Sequence, residues 1–334
     1  MAAKRKRVTL QDVARQAGVS AMTVSRVINH TGRISPATRE HVFEVIDRLG
    51  YRPSRAARTL VTAKTRMIGV VVPDITNPYF AEIVHGIEDV AWDAEYSVLL
   101  ANTNENPSRE AALLGQIDDT AVDGLIPVSS RLPDDTLLPL LEQHRAVVTI
   151  NRQFAPLASC VRPRHGYGYR AHQSVLYLAR AGHARIGYIS LLRSLINMPV
   201  EELIARMAEH GVAIQREWCA TCLPTWEAGY EIGRQLLAEH PELTAIVAGN
   251  DLVALGVMRA AVEAGRRIPQ DLALIGGDDI LLSSQVTPPL TTFSVPKYEI
   301  GANAARLLFK RMDGDLTYRE FLFDEEFIER GSAP

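Results

Sequence analysis

Residues 9–29 read as two short helices joined by a glycine, and no other stretch narrows the possible folds as far. In TLQDVARQAGVSAMTVSRVIN, Thr9 stands where a helix N-cap belongs, and Leu10, Val13, Ala14 and Ala17 recur behind it at helical spacing. Gly18 supplies the left-handed residue that ends the first helix, and Ser20 caps the second. The second helix turns Val24, Val27 and Ile28 inward. That leaves Ala21, Met22, Ser25 and Arg26 on a face that a stable core does not need. A short helix with a small, mixed outer face beside a basic surface has the character of a recognition helix for the major groove of double-stranded DNA.

Ser35-Pro36, a cap followed by proline at the first helical position, opens a third helix. PATREHVFEVIDRLG sets Val42, Val45, Ile46 and Leu49 on one stripe before Gly50 stops it. Three such helices make a minimal core. The next piece, RPSRAARTLVTAKTR, has little to bury beyond alanine, arginine stems and one exposed leucine, Leu60. A helix of about two turns is marginal by itself, so this stretch reads as a linker that orders only when something holds it.

Charge points the same way. Residues 1–66 hold 14 Lys and Arg against 4 Asp and Glu, or +10; the whole chain has 36 and 39, so the remainder carries 22 minus 35, or −13. A net charge of −3 therefore hides a basic head on an acidic body. Such a head neutralises phosphates and releases counterions, which makes its affinity fall steeply with salt. Lys4, Arg5, Lys6 and Arg7 taken alone read equally well as a frayed, solvated terminus.

At 334 residues the chain is too long for one ordinary core and suits two or three domains. No apolar run approaches the ~20 residues of a membrane span, and the N-terminus is charged where an export signal needs an apolar stretch. A cytoplasmic protein with no membrane partner is expected. Three cysteines in this length fit a reducing compartment. Cys219 and Cys222 form a C-x-x-C pair, but only Cys160 remains to join them and no H-x₃-H completes a metal site. They read as inert thiols, and neither metal nor cofactor is expected.

From Met67 the texture becomes α/β. MIGVVVPD is a continuous apolar strand of the kind buried in parallel sheets. Helical and strand patterns then alternate through AVVTIN and restart with YRAHQSVLYLARAG, RIGYIS and their successors up to LALIGGD. Two consecutive α/β halves imply two doubly wound lobes with a cleft between them, and in such sheets ligands sit beyond the carboxyl ends of the strands. The residues just after the strands are Asp74, Asn77, Tyr79, Phe80, Ser129, Arg131, Asn151, Arg152, Trp226, Asn250, Asp251 and Asp278. Asp and Asn grip vicinal hydroxyls through paired hydrogen bonds, while aromatic rings pack on the apolar face of a sugar or base. Duller roles stand beside these: Tyr79 and Phe80 as core aromatics, Asp251 as a helix cap, and Asp279 as a loop holder.

Along nearly its whole length the chain resembles bacterial repressors of the lactose/galactose repressor (LacI/GalR) family. The resemblance is carried by TLQDVARQAGVSAMTVSRVIN, SPATREHV, LGYRPSRAARTL, IGVVVPDITNPYFAEIVHGIE, VDGLI, GHARIGYI, AGNDLVALGVMRAAVEAGRRIPQDLALIGGDDI, PPLTTFSVP and IERGS. It implies an N-terminal all-α helix-turn-helix domain (1–52), a hinge helix and linker (53–66), and a two-lobed α/β core similar to periplasmic sugar-binding proteins (67–334). The first lobe would take about 67–165 and 296–318, and the second 166–295 and 319–334. The crossings would fall near Gly166, near Pro296 and around 315–323.

Carried over by position, Ala21, Met22 and Arg26 would read base edges, with Asn29 closing the same helix. Thr9, Ser20, Thr23 and Ser25 would hold phosphates. Leu60 falls where the family inserts a leucine pair into the minor groove at the centre of a palindromic operator, with Ala57 and Arg58 flanking it. Two hinges would fold together only on DNA and in a homodimer. The chain shows no leucine heptads after IERGSAP for a tetramer-forming coil, so a dimer is expected.

The effector side departs from the family pattern. Pro199 stands where the resemblance places an arginine, RPRHGYGYR replaces an acidic-polar segment, the late strand ends Gly277-Asp278 without its aromatic, and Asn151 replaces a commoner aspartate. The expected effector-binding set is Tyr79, Phe80, Arg131, Asn151, Trp226, Asn250 and Asp278. A sugar or sugar derivative is the first reading. A nucleoside, a phosphorylated metabolite met by Arg131, Arg152 or Arg193, or no effector at all remain the alternatives. An enzyme on the same core lacks a G-x-S-x-G elbow, a phosphate-cradling glycine loop and metal-spaced histidines. A periplasmic binding protein would need an export signal.

Overall fold

The computed structural model describes residues 8–28, 31–51, 64–117, 121–165, 168–192 and 198–333. The chain divides into two compact units, Met1–Thr65 and Arg66–Pro334. Each is built from its own core.

In the first unit α1 (Leu10–Ala17), α2 (Ala21–Ile28) and α3 (Pro36–Leu49) form where the local chemistry asks for them. Thr9 and Asp12 close a capping box, Gly18 and Gly50 take left-handed C-cap conformations, and Ser35 caps α3 with Pro36 at its first position. Val13, Val24, Val27, Val42 and Val45 are completely buried, and Tyr51 packs with them. So small a core leaves the unit with little stability to spare.

The second unit has two lobes. In the first, β1 (Met67–Val72), α4 (Pro78–Asp93), β2 (Ser97–Asn102), α5 (Pro107–Gln116), β3 (Gly124–Pro127), α6 (Asp134–Leu141), β4 (Val148–Ile150) and β5 (Ser159–Pro163) alternate. The strand order is β2-β1-β3, joined by parallel bridges at Leu125–Val147 and Val128–Ile150 to β4 and β5. In the second lobe α7 (Tyr169–Arg180), β6 (Ile186–Leu191), α8 (Val200–Glu209), β7 (Cys219–Cys222), α9 (Trp226–Glu239), β8 (Ala245–Ala248), α10 (Asp251–Glu263) and β9 (Ala273–Ile275) follow. Their strands pair in the parallel order β7-β6-β8-β9. After α11 (Leu281–Gln285) and β10 (Thr292–Ser294), the chain returns to the first lobe as α12 (Lys297–Met312). This helix packs against α4, β3 and β4.

The last crossing differs from expectation. The family resemblance implies the second lobe for residues 319–323, yet β11 (Glu320–Phe323) pairs with β5 in register Glu320–Cys160 to Phe323–Pro163 and so belongs to the first. The strand alternates Glu320, Phe321, Leu322, Phe323 and completes a parallel edge that β5 would otherwise expose. The chain crosses only at Asp324–Glu325, before β12 (Glu326–Ile328) pairs antiparallel with β10. The crossing expected near Gly166 lies outside the described residues.

Helices α4 and α12 approach until backbones touch. A methyl group on Gly86 would strike the Tyr298 carbonyl, and one on Gly301 the Ile83 carbonyl. No helix among the described residues is long and apolar enough to cross a membrane.

Candidate functional site

The exposed end of α2 carries the residues expected at DNA. Met22 is 64% exposed and Arg26 is exposed, its stem lying against Gly32, while Ala21, Thr23 and Ser25 are half-buried. The caps order this end. Ser20 Oγ accepts from the Thr23 amide at 3.1 Å and lies 2.9 Å from Thr23 Oγ1. Thr9 Oγ1 donates to Asp12 at 2.7 Å. Amides at a helix N-terminus, with its partial positive charge, suit a phosphate. Asn29, Ala57, Arg58 and Leu60 lie outside the described residues.

In the second unit, side chains from both lobes converge on one cavity of about 50 Å³ at the carboxyl ends of the strands. From the first lobe come Asn77, Tyr79, Phe80, Ser129, Arg131 and Asn151. Asn77 caps α4 by accepting from the Tyr79 amide at 3.0 Å, which sets Tyr79 and Phe80 on the first turn. Asn151 and Ser129 have positive φ (64° and 47°), the sharp exits that turn their side chains into the cleft. Asn151 Nδ2 donates to Ser129 Oγ at 2.9 Å and to Tyr79 Oη at 3.4 Å. Burial pushes the Tyr79 phenol up to about 12, so it stays protonated.

From the second lobe come Arg170, Leu191, Pro224, Gly249, Asn250 and Asp278. Asn250 caps α10, accepting from the Val253 amide at 2.9 Å while its Nδ2 donates to the Pro224 carbonyl at 3.3 Å. Asp251, fully buried, holds the loop after β9. It accepts from the amides of Gly277 (2.7 Å) and Ile280 (2.9 Å) and from the hydroxyls of Ser283 and Thr292 (2.6 Å each). Its carboxylate is thereby committed to structure. Asp279 is likewise tied to Arg330 at 2.6 Å.

Asp278 faces the cavity. Arg170 Nη1 donates to its Oδ1 at 3.0 Å, and Arg170 Nε lies 2.8 Å from Glu325 Oε1. Burial pushes Asp278 up to about 7; the charges of Asp251 and Glu325 add to the rise, while Arg170 and Lys297 oppose it. Burial raises Glu325 too. Burial works against the charge on Arg170, but Glu325 and Asp278 together raise its pKa.

Three expectations change. Trp226 does not line the cavity: it starts α9, stacks on Tyr230 with ring centroids 5.6 Å apart and is 40% exposed, while Pro224, two residues earlier, takes the lining position. Arg131 lines the cavity but is already matched, donating to both oxygens of Glu105 (2.6 and 2.8 Å) and to the Ser129 carbonyl (2.6 Å). Arg152 pairs with Asp134 and donates to the carbonyls of Ser130 and Leu132. Neither is open to a phosphate, and Arg193 lies outside the described residues.

Arg170, Glu325, Pro224 and Leu191 are absent from the expected set. Arg170 lies within RPRHGYGYR, where the phase of α7 decides which arginine points inward. Glu325 depends on where the last crossing falls. Cys219 and Cys222 are buried free thiols, pushed up by burial to about 11 and about 12. No group of His, Cys, Asp and Glu with metal-holding geometry occurs among the described residues.

A model of the lacI family of bacterial regulatory proteins matches residues 9–54, and one of a periplasmic binding protein-like domain matches 175–333. Catabolite control protein A of Priestia megaterium is 37% identical over 316 residues, spanning 92% of this chain and 93% of that protein. The HTH-type transcriptional repressor CytR of Escherichia coli strain K12 is 34% identical over 328 residues, spanning 97% and 96%. The solved lac repressor dimer bound to operator and the anti-inducer ONPF aligns with a TM-score of 0.81 at 25% identity, covering 98% of this chain and 99% of that one.

Proposed function

This chain belongs to the lacI family of bacterial regulatory proteins, and from that premise we propose that it binds a palindromic operator as a cytoplasmic homodimer under the control of a small ligand held between its lobes. It is a DNA-binding transcriptional repressor, not an enzyme: a helix-turn-helix head precedes a periplasmic-binding-protein-like α/β core. In the proposed complex Ala21, Met22 and Arg26 read base edges, and Thr9, Ser20, Thr23 and Ser25 hold phosphates. Asn29 ends the reading helix, and Leu60 wedges the central base step beside Ala57 and Arg58.

The observation that carries the ligand reading is the convergence of Tyr79, Ser129 and Asn151 from one lobe with Asn250 and Asp278 from the other on a single cavity. A ligand touching both sides shifts how the lobes close and thereby biases the hinges, a coupling of a few kcal/mol, on the order of 1–3. Hydroxyl-rich or nucleobase-bearing ligands, a sugar or its derivative first, match these donors and acceptors. For a phosphorylated ligand, two of the three arginines expected to meet it, Arg131 and Arg152, are already paired.

The test is a gel shift on the DNA upstream of the chain's own reading frame, with the full chain and with residues 1–60 removed. It is paired with a thermal-shift screen of sugars, nucleosides and sugar phosphates. Binding should vanish on truncation, and a neutral ligand should raise the melting point. Equal DNA binding without residues 1–60 overturns the reading.

A further inference from the structure

We propose that Arg170 is a built-in occupant of the effector cleft, a tethered guanidinium in the acceptor subsite formed by Asp278 and Glu325, which a free effector must replace with donors of its own. The inference rests on the cleft being the effector site.

Among the described residues two arginines line the cavity, and they are held differently. Arg131 is a structural arginine, fork-to-fork with Glu105 and also bonded to a carbonyl. Among the described residues Arg170 makes a single hydrogen bond to Asp278 and one ion-pair contact with Glu325, and no backbone carbonyl accepts from it. Its side chain is 21% exposed, against 10% for Asp278 and 2% for Glu325. The carboxylates are built in and the cation reaches them from the cavity.

The cluster also has more acceptors than the guanidinium satisfies. Two carboxylates face the guanidinium, and Glu325 Oε2 is buried with no hydrogen-bond partner among the described residues. A buried acceptor left unmatched is costly, so the subsite favours an occupant bringing more N–H or O–H donors than Arg170 does, neutral or cationic, and disfavours an anion. Gly277 leaves room for such an exchange. It has no side chain, and a Cβ built there would sit 3.5 Å from Arg170 Nη1, so the guanidinium lies where a larger residue would project. With Arg170 in place the cavity is only about 50 Å³, space for a few waters.

The position of Glu325 gives the occupant leverage. Asp324–Glu325 is the last passage between lobes, leaving β11 of the first and entering β12 of the second. Whatever pairs with Glu325 therefore bears on the strand that joins them.

The experiment is chemical rescue in the full chain. Arg170→Ala removes the tethered cation and leaves a guanidinium-shaped, acidic cavity. Methylguanidinium chloride at millimolar concentration should raise the melting temperature of R170A saturably by several degrees and leave the wild type unmoved, with tetramethylammonium chloride inert on both. Operator affinity of R170A should shift with methylguanidinium by about fivefold or more. The double variant R170A/E325Q, with one fewer buried charge, should fold more readily and show weaker rescue. No selective stabilisation of either variant overturns the proposal, as does a variant that stays unfolded with methylguanidinium present. Rescue is scored by melting, so it is read independently of operator binding. Failure of the wild-type chain to bind its operator would instead overturn the regulator reading.

Discussion

Lys297 Nζ donates to the main-chain carbonyl of Asp278 at 3.0 Å, and to that of Asp279 at 2.9 Å. The lysine opens α12 in the first lobe, and the carbonyls belong to the second-lobe loop that presents Asp278 to the cavity. Glu82 of α4 lies 3.7 Å from the same ammonium, whose side chain is 5% exposed. One buried cation thus fixes the ligand-side loop to the helix pair of the other lobe. Lys297→Met keeps the bulk and removes both hydrogen bonds. At about 1.5–3 kcal/mol for a hydrogen bond to a charged group, calorimetry should show a drop of several degrees. An unchanged melting temperature would show that the two lobes do not depend on this strut.

Gly301 sets two effects against each other. Helix propensity alone makes alanine at this site of α12 more stable by about 1 kcal/mol. The added methyl, however, meets the Ile83 carbonyl of α4. Overpacking costs typically about 1–3 kcal/mol and more against backbone, so Gly301→Ala should destabilise the core by about 2 kcal/mol. Denaturant unfolding with an unchanged slope is the check, and a gain in stability would contradict the close helix contact.

Asp278 gives stability a pH signature. Burial holds its pKa at about 7 in the folded chain, against about 3.9 when unfolded. Between those values the folded protein keeps a proton that the unfolded chain has lost. Its contribution is complete below about pH 4 and is lost as pH rises through about 7. Asp278→Asn removes the titration. Melting temperature of the variant minus that of the wild type should therefore rise from about pH 5 to about pH 8, and a flat difference would mean that the carboxyl is not desolvated.

Much of this organisation is legible in the residues. Thr9, Ser20, Ser35 and Pro36 announce helix starts because capping is a bond to an amide within the next few residues. Asn77, Asn151 and Asn250 could be placed at strand ends because apolar runs mark where strands stop. What depends on long-range pairing could not be read. Glu105 neutralises Arg131 from 26 positions away. The register of β11 on β5 decides where Glu325 falls. Trp226 falls outside the cavity lining for a smaller reason: Thr225 caps α9, so the tryptophan is already on the helix, and the loop position facing the cavity is Pro224.

Leu60 separates the two functions most cleanly. It lies outside the described residues, and its role as a minor-groove wedge is proposed from the family resemblance. A wedge offsets the unstacking of a base step, a few kcal/mol, by allowing the DNA to bend and wrap more protein. Leu60→Ala should weaken operator binding severely in a filter assay while ligand-induced thermal shifts of the core persist. Unchanged operator affinity would remove the wedge role.

Sequence reading by α2 is tested most directly by equilibrium titration of an operator duplex and a scrambled duplex at one fixed salt concentration, with wild type and Arg26→Ala. The wild type should prefer the operator by about 10³-fold or more, and R26A should lose about 1–3 kcal/mol of that discrimination, centred on one base pair per half-site. Equal affinity of the wild type for the two duplexes would contradict a sequence-specific repressor, and full discrimination by R26A would take Arg26 out of the reading face.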